Sequence, residues 1–186
     1  GRNVPAAQGE DAWIGTWSTA AQSVIPGQAQ VFRRQTIRLI VRASVGGAKL
    51  RVRLSNTFSD RPLPIDGARI ARRTTGAHIE PTSDRALLFQ GRASTTIPAR
   101  ATAVSDPVDL VVPALGELAV SLYFGRSAVA ETSHALALQT NYVSAEGGDV
   151  SASANFPVAD TIDSWPFLTG IDVVTNSRGA AIVAFG

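Results

Sequence analysis

Lys49-Leu-Arg-Val-Arg-Leu-Ser55 decides the fold. Leu50, Val52 and Leu54 fall on one parity, and Lys49, Arg51 and Arg53 fall on the other. A period of two is the signature of a strand with one face on a core and one face toward water. Just upstream, Ile37, Leu39 and Val41 alternate with Arg38, Ile40 and Arg42. Gly46-Gly47 lies between the two runs, so Thr36–Val45 and Lys49–Asn56 read as a β-hairpin. Leu118, Val120, Leu122 and Phe124 alternate with Ala119, Ser121 and Tyr123 in a third strand. Shorter candidates are Trp13–Ala20, Ala68–Arg72, Ala86–Phe89, Thr95–Ile97, Val108–Val112, Ala137–Val143 and Ile171–Thr175. Pro26-Gly27, Asp66-Gly67, Pro113 and Gly147-Gly148 supply turn chemistry between them. Short strands at this spacing predict an all-β, antiparallel sandwich of jelly-roll-like form. Ser127–Ala135 alone has helical propensity, and it lacks an amphipathic stripe.

With 186 residues the chain suffices for one domain of ordinary size. Its 45% hydrophobic and 17% charged composition excludes intrinsic disorder. No apolar run approaches the ~20 residues of a membrane-spanning helix. Cysteine is absent, which excludes disulfides, thiolate nucleophiles and Cys-ligated metal sites. Residues 1–12 are polar and aperiodic and read as a disordered leader, with the sandwich at 13–178.

Charge is segregated along the chain. Between Asp11 and Asp60 lie six Arg and Lys49 but no acid. Between Arg126 and Arg178 lie six acids and no base. Such an arrangement suits either a basic binding face or basic early strands neutralised by acidic later ones. A net charge of +2, despite a pI near 9.7, carries no signal for a nucleic-acid partner.

Chemistry-bearing residues are few. His78 and His134 are the sole histidines, and no G-x-S-x-G elbow accompanies them. Asp160 and Asp163 flank a turn, a spacing that specifies neither a carboxylate pair for glycoside cleavage nor a Ca²⁺ loop. No cofactor or metal is implied. Trp13 and Trp17 are four apart and, in one strand, share a face toward the core. Trp165, in Asp163-Ser-Trp-Pro-Phe167, lies in a Pro-bounded loop and is the candidate substrate-binding residue, a surface on which a sugar ring can stack.

Ala180-Ala-Ile-Val-Ala-Phe-Gly186 is continuously apolar, as a strand buried on both faces would be. It closes an ordered series: Trp13-Ile-Gly-Thr-Trp-Ser-Thr-Ala-Ala-Gln22, Thr36–Ser44, Leu50–Phe58, Leu88-Phe-Gln-Gly91, Ser105-Asp-Pro-Val108, Leu118–Tyr123 and Ser164–Val173. Over residues 13–186 this series resembles the N-terminal half of secreted bacterial two-domain SGNH (GDSL-type) hydrolases. The resemblance implies a β-sandwich followed by a flavodoxin-like α/β catalytic domain, in a secreted or periplasmic esterase. Residues 179–186 would be that domain's first strand, with the nucleophilic Ser just after Gly186. No catalytic residue of the family falls within this chain. The implied partner is a downstream α/β domain, as a second bound chain pairing with Ala180–Phe185 if the protein is nicked there. A stand-alone carbohydrate-binding module is the alternative.

Overall fold

The computed structural model of the chain describes residues 12–175. The expected terminal strand Ala180–Phe185, and all of the expected leader except its last residue, lie outside the described residues. In chain order the strands are β1 (Trp13–Ser18), β2 (Gln22–Ser23), β3 (Val31–Phe32), β4 (Gln35–Arg42), β5 (Gly47–Ser55) and β6 (Leu63–Ile65). There follow β7 (Gly67–Arg72), β8 (Arg85–Ala86), β9 (Thr95–Ile97), β10 (Thr102–Val104), β11 (Val108–Val112) and β12 (Glu117–Phe124). The last are β13 (Ala128–Val129), β14 (Thr132–His134), β15 (Asn141–Ser144), β16 (Val158–Ile162), β17 (Trp165–Pro166) and β18 (Leu168–Val174).

Two antiparallel sheets dominate, one ordered β16-β15-β4-β12-β7-β8 and the other β1-β18-β5-β10, with β11 also on β5. Ile37, Leu39 and Val41 of β4 and Leu118, Val120 and Leu122 of β12 form one inner face. Leu50, Val52 and Leu54 of β5 face them, with Ile171 and Val173 of β18 in the same buried cluster. This is the all-β sandwich that the period-two runs predict. Each fully buried aliphatic side chain contributes roughly 1.5–3 kcal/mol, so these two facing rows are the main source of stability.

The expected hairpin does not form. β4 and β5 belong to different sheets, and the chain crosses between the layers at residues 43–46. Alternation assigns a residue to a face but not to a sheet. The Leu50 row therefore meets the Leu39 row across the core instead of beside it. Thr16 fixes the crossover: its carbonyl accepts the Ser44 N–H at 2.9 Å, and its hydroxyl accepts the Val45 N–H at 3.0 Å. Gly46 and Gly47 serve close approach, since a Cβ would lie 2.6 Å from the Val112 carbonyl and 2.5 Å from that of Val174, respectively. Ser127–Ala135 likewise forms no helix but contributes the two short strands β13 and β14.

The outward parity of β4 is not solvent. Arg38 has no exposed surface. Its Nε donates to Ser121 Oγ at 2.9 Å, its Nη1 to the carbonyls of Ala77 and Ser153 at 2.8 and 2.9 Å, and its Nη2 to the Ser151 carbonyl at 2.8 Å. The guanidinium also lies 4.6 Å from the Phe156 ring centre. Ile40, Ala71, Ile79 and Ala119 form a second buried cluster around it, packed against Tyr142 and Ala154. Residues 145–157 thus cover the outer face of the larger sheet as a third layer. Desolvation pushes the Arg38 guanidinium down to about 10, against the opposing pull of Asp84, and it stays charged at neutral pH.

On the smaller sheet the segregated charges meet. Asp172 of β18, its side chain 9% exposed, receives Arg51 at 3.0 Å and Arg53 at 3.2 Å from β5. The basic early strand is neutralised by the acidic late one. Gly170 makes room for this, because a Cβ there would stand 2.5 Å from Arg53 Nη2. Gly170→Ala is expected to push the partly exposed Arg53 guanidinium off Asp172 and to lower stability by about 1 kcal/mol or less. Adding Arg53→Ala should return most of that loss, a coupling visible in a denaturation double-mutant cycle; additive losses would contradict the contact.

Arg72 grips Glu80 in a fork, Nε to Oε2 at 2.8 Å and Nη2 to Oε1 at 2.9 Å, and Thr82 adds a third hydrogen bond at 2.8 Å. These bonds, Arg72's first, hold the Glu80 carboxyl down to about 2. A depressed carboxyl stabilises the fold above its ordinary range and loses that contribution as pH falls through the folded value. An NMR titration should therefore place the Glu80 midpoint near 2, and Arg72→Gln should bring it back toward an ordinary glutamate. A midpoint in the ordinary range in the unmodified chain would refute the fork.

Candidate functional site

Trp165 lies on β17, paired with β14 so that it stands beside His134. Its environment is set by a gap in the larger sheet. β15 pairs with β4 at Ile37 and Arg38, leaving Ile40 without a strand partner on that side. Side chains fill the gap. Asn141, fully buried, accepts the Ile40 N–H at 2.7 Å and donates to the Ser164 carbonyl at 2.7 Å. The Trp165 indole Nε1 donates to the Ile40 carbonyl at 2.9 Å. Both polar groups of a core strand are thereby satisfied.

The Trp165 ring meets Trp17 edge-on at 5.0 Å and 68°, and His134 at 5.9 Å and 31°. It is half-buried and packs on the core cluster. Trp13 does not join it. A bulge in β1, where Gly15 pairs with Asp172 but Trp17 pairs with Ile171, adds Thr16 as an extra residue. The bulge reverses the parity that four-residue spacing implied, so the two tryptophans do not share a face. Trp17 reaches the core, and Trp13 lies outside, stacked 4.5 Å from the Arg51 guanidinium.

His134 Nδ1 lies 2.9 Å from the Ala20 carbonyl, so that nitrogen carries the hydrogen and donates it. His78 is exposed in a turn closed by its own backbone, Thr74 N to His78 O at 3.0 Å and His78 N to Thr75 O at 2.9 Å. Neither imidazole, among the described residues, is hydrogen-bonded to a serine or a carboxylate, the geometry a general base requires. Among the described residues no group of three or more His, Cys, Asp or Glu is placed to hold a metal. Asp163 and Asp160 are not brought into a pair. Asp160 accepts the N–H of Thr161, while the Asp163 carbonyl receives the Ala137 N–H.

Beside the tryptophans a groove of about 590 Å³ is lined by Gln22, Ser23, Ile25, Gln30, Ser133 and Asp163. The adjoining turn carries Leu136 and Leu138 at φ 55° and 49°, 76% and 99% exposed. Two leucines in the left-handed region cost of order 1–3 kcal/mol each. In the sequence Ala137–Val143 reads as a strand, yet β15 begins only at Asn141. No signal in the sequence marks Asn141 as the strand substitute it is.

Comparison with known proteins finds no family model and no curated protein that matches this chain.

Trp165→Phe removes the hydrogen bond to Ile40 together with part of the packed ring, and an unfolding shift of at least about 1–3 kcal/mol is expected. Trp165→Ala should cost about 3–5 kcal/mol and couple to Trp17→Ala by roughly 0.5–1.5 kcal/mol. Denaturation of the four proteins of the cycle checks this; a Trp165→Ala change that leaves stability untouched would make the ring a free surface.

Proposed function

We propose that this chain is the N-terminal β-sandwich portion of an SGNH-type serine ester hydrolase acting outside the cytoplasm. Its catalytic Ser, His and oxyanion-binding groups are carried by a downstream α/β domain. In such an enzyme the Ser attacks the ester carbonyl, the His accepts its proton, and backbone or side-chain donors hold the oxyanion. The substrates are acylated carbohydrates or small acyl esters. The sandwich supplies the scaffold on which that domain is built.

The observation that carries this reading is the place of the ordered motifs in the fold. Thr36–Ser44 and Leu118–Tyr123 are the paired central strands β4 and β12 of one sheet, and Leu50–Phe58 and Ser164–Val173 contain β5 and β18 of the other. The motif order thus reads as the plan of the sandwich that the resemblance implies. A sugar platform built on Trp165 is the weaker reading, because its indole N–H is committed to Ile40 and its ring edge to Trp17.

Immunopurification of the native protein from its source, with an antibody to the sandwich, tests the proposal. Hydrolysis of p-nitrophenyl acetate should co-purify, and a fluorophosphonate probe should label a serine outside residues 12–175. Absence of both activity and label, or label on a serine within that range, would overturn it.

A further inference from the structure

A second groove, about 640 Å³, opens between β9 and β10, a volume within the range of small-ligand sites. These strands are consecutive but do not pair with each other. β9 is bound to β6 and β10 to β5, and a turn closed by Ala101 N to Pro98 O at 3.3 Å joins them. Thr95, Thr96 and Thr102 line the groove, together with Gln90, Arg92 and Arg126.

Its rim is held rigidly. Phe89 and Arg92 close a tight turn by exchanging N–H to carbonyl bonds of 2.8 and 3.1 Å. The two central residues, Gln90 and Gly91, have φ of 53° and 76°. Asp106 clamps the turn, its Oδ1 accepting the Gln90 N–H at 3.0 Å and its Oδ2 the Gly91 N–H at 2.7 Å. Leu88-Phe-Gln-Gly91 and Ser105-Asp-Pro-Val108, distant in sequence, meet here. Core packing accounts for Phe89 and Val108, but not for a carboxylate spent on fixing a non-glycine residue in the left-handed region. The clamp fixes the turn that carries the neighbouring Arg92 side chain.

The turn presents Arg92, exposed, whose guanidinium has no hydrogen bond or ion pair among the described residues. Arg126 is 67% exposed and touches Asp66 through one nitrogen, at 3.2 Å, while the other Asp66 oxygen is taken by the Gly125 N–H. Most of its donors stay open. Two guanidinium forks match an oxyanion, and threonine hydroxyls with a glutamine amide match a polyol. The one aromatic ring at the groove, Phe89, is 5% exposed, which leaves no platform for stacking a nucleobase.

We propose that this groove binds an acidic saccharide. Arg92 and Arg126 hold its carboxylate or sulfate oxygens, and Thr95, Thr96, Thr102 and Gln90 hold its hydroxyls. The proposal does not depend on the ester hydrolase reading, although Gln90 and Asp106 belong to two of the motifs that carry the resemblance.

Affinity electrophoresis of the 186-residue chain through polygalacturonate, dextran sulfate and neutral dextran tests it. At least one acidic polymer should retard the chain, neutral dextran should not, and the polymer that retards it names the oxyanion. Arg92→Gln and Arg126→Gln should each weaken binding about tenfold or more, as loss of a charged hydrogen bond does. Arg33→Gln, an exposed arginine elsewhere, should leave it unchanged, with matching thermal melts showing that all variants fold. Retardation by neither acidic polymer would overturn the proposal. So would undiminished retardation of the Arg92→Gln/Arg126→Gln double variant, or equal weakening by Arg33→Gln.

Discussion

The Arg38 guanidinium, buried in the middle of β4 and bonded to one hydroxyl and three carbonyls, is the constraint on which the rest of the architecture hangs. A charge at that depth is tolerable only when every donor it turns inward finds an acceptor. Ser151 and Ser153 supply two of those acceptors from a segment without regular structure, and Ala77 supplies a third from a turn. Removing any of them would leave a buried charge underbonded, so the irregular segment is as strongly specified as a strand. With it in place, β4 is covered on both faces, and Asn141 and Trp165 are carried to the point where Ile40 needs partners.

This explains what could be read from the residues alone and what could not. Leu50, Val52 and Leu54, with Leu118, Val120 and Leu122, announced strands and their inward faces correctly, because burial imposes period two directly. The sheet to which each strand belongs is a long-range choice, and local alternation carries no information on it. Hence β4 and β5 looked like a hairpin when Thr16 in fact draws the chain across the sandwich. Arg38 looked solvated because nothing in its neighbourhood signals three carbonyls arriving from more than 35 residues away. Trp13 and Trp17 were separated by one inserted residue, a bulge that spacing cannot show. Charge segregation allowed the neutralisation of early basic strands by later acids as one of two readings, but nothing in the sequence singled out Asp172 among its fifteen acids as the partner of Arg51 and Arg53.

At the level of function, Trp165 was the candidate substrate-binding residue, and the structure sets it on β17 with its indole N–H on the Ile40 carbonyl and its half-buried ring against Trp17 and His134. The open chemistry of the described residues lies instead on a clamped turn between β8 and β9, where Asp106, a residue of unremarkable context, fixes the backbone beneath Arg92. An ester hydrolase of the proposed kind would draw rigidity from the sandwich and reactivity from its downstream domain. A saccharide groove on the sandwich would add the means to hold a polymeric substrate near that chemistry.

Native-state hydrogen exchange of the intact chain bears most directly on the claim that residues 145–157 form a third structural layer. The amides of Val150, Ser153 and Ile79, bonded to Thr36 Oγ1, the Val150 carbonyl and the Ala154 carbonyl, should exchange as slowly as the β4–β12 ladder. That protection should collapse in Arg38→Met while the β5–β18 ladder keeps its own. Exchange of residues 145–157 at the rate of the exposed 136–139 turn in the unmodified protein would contradict the account.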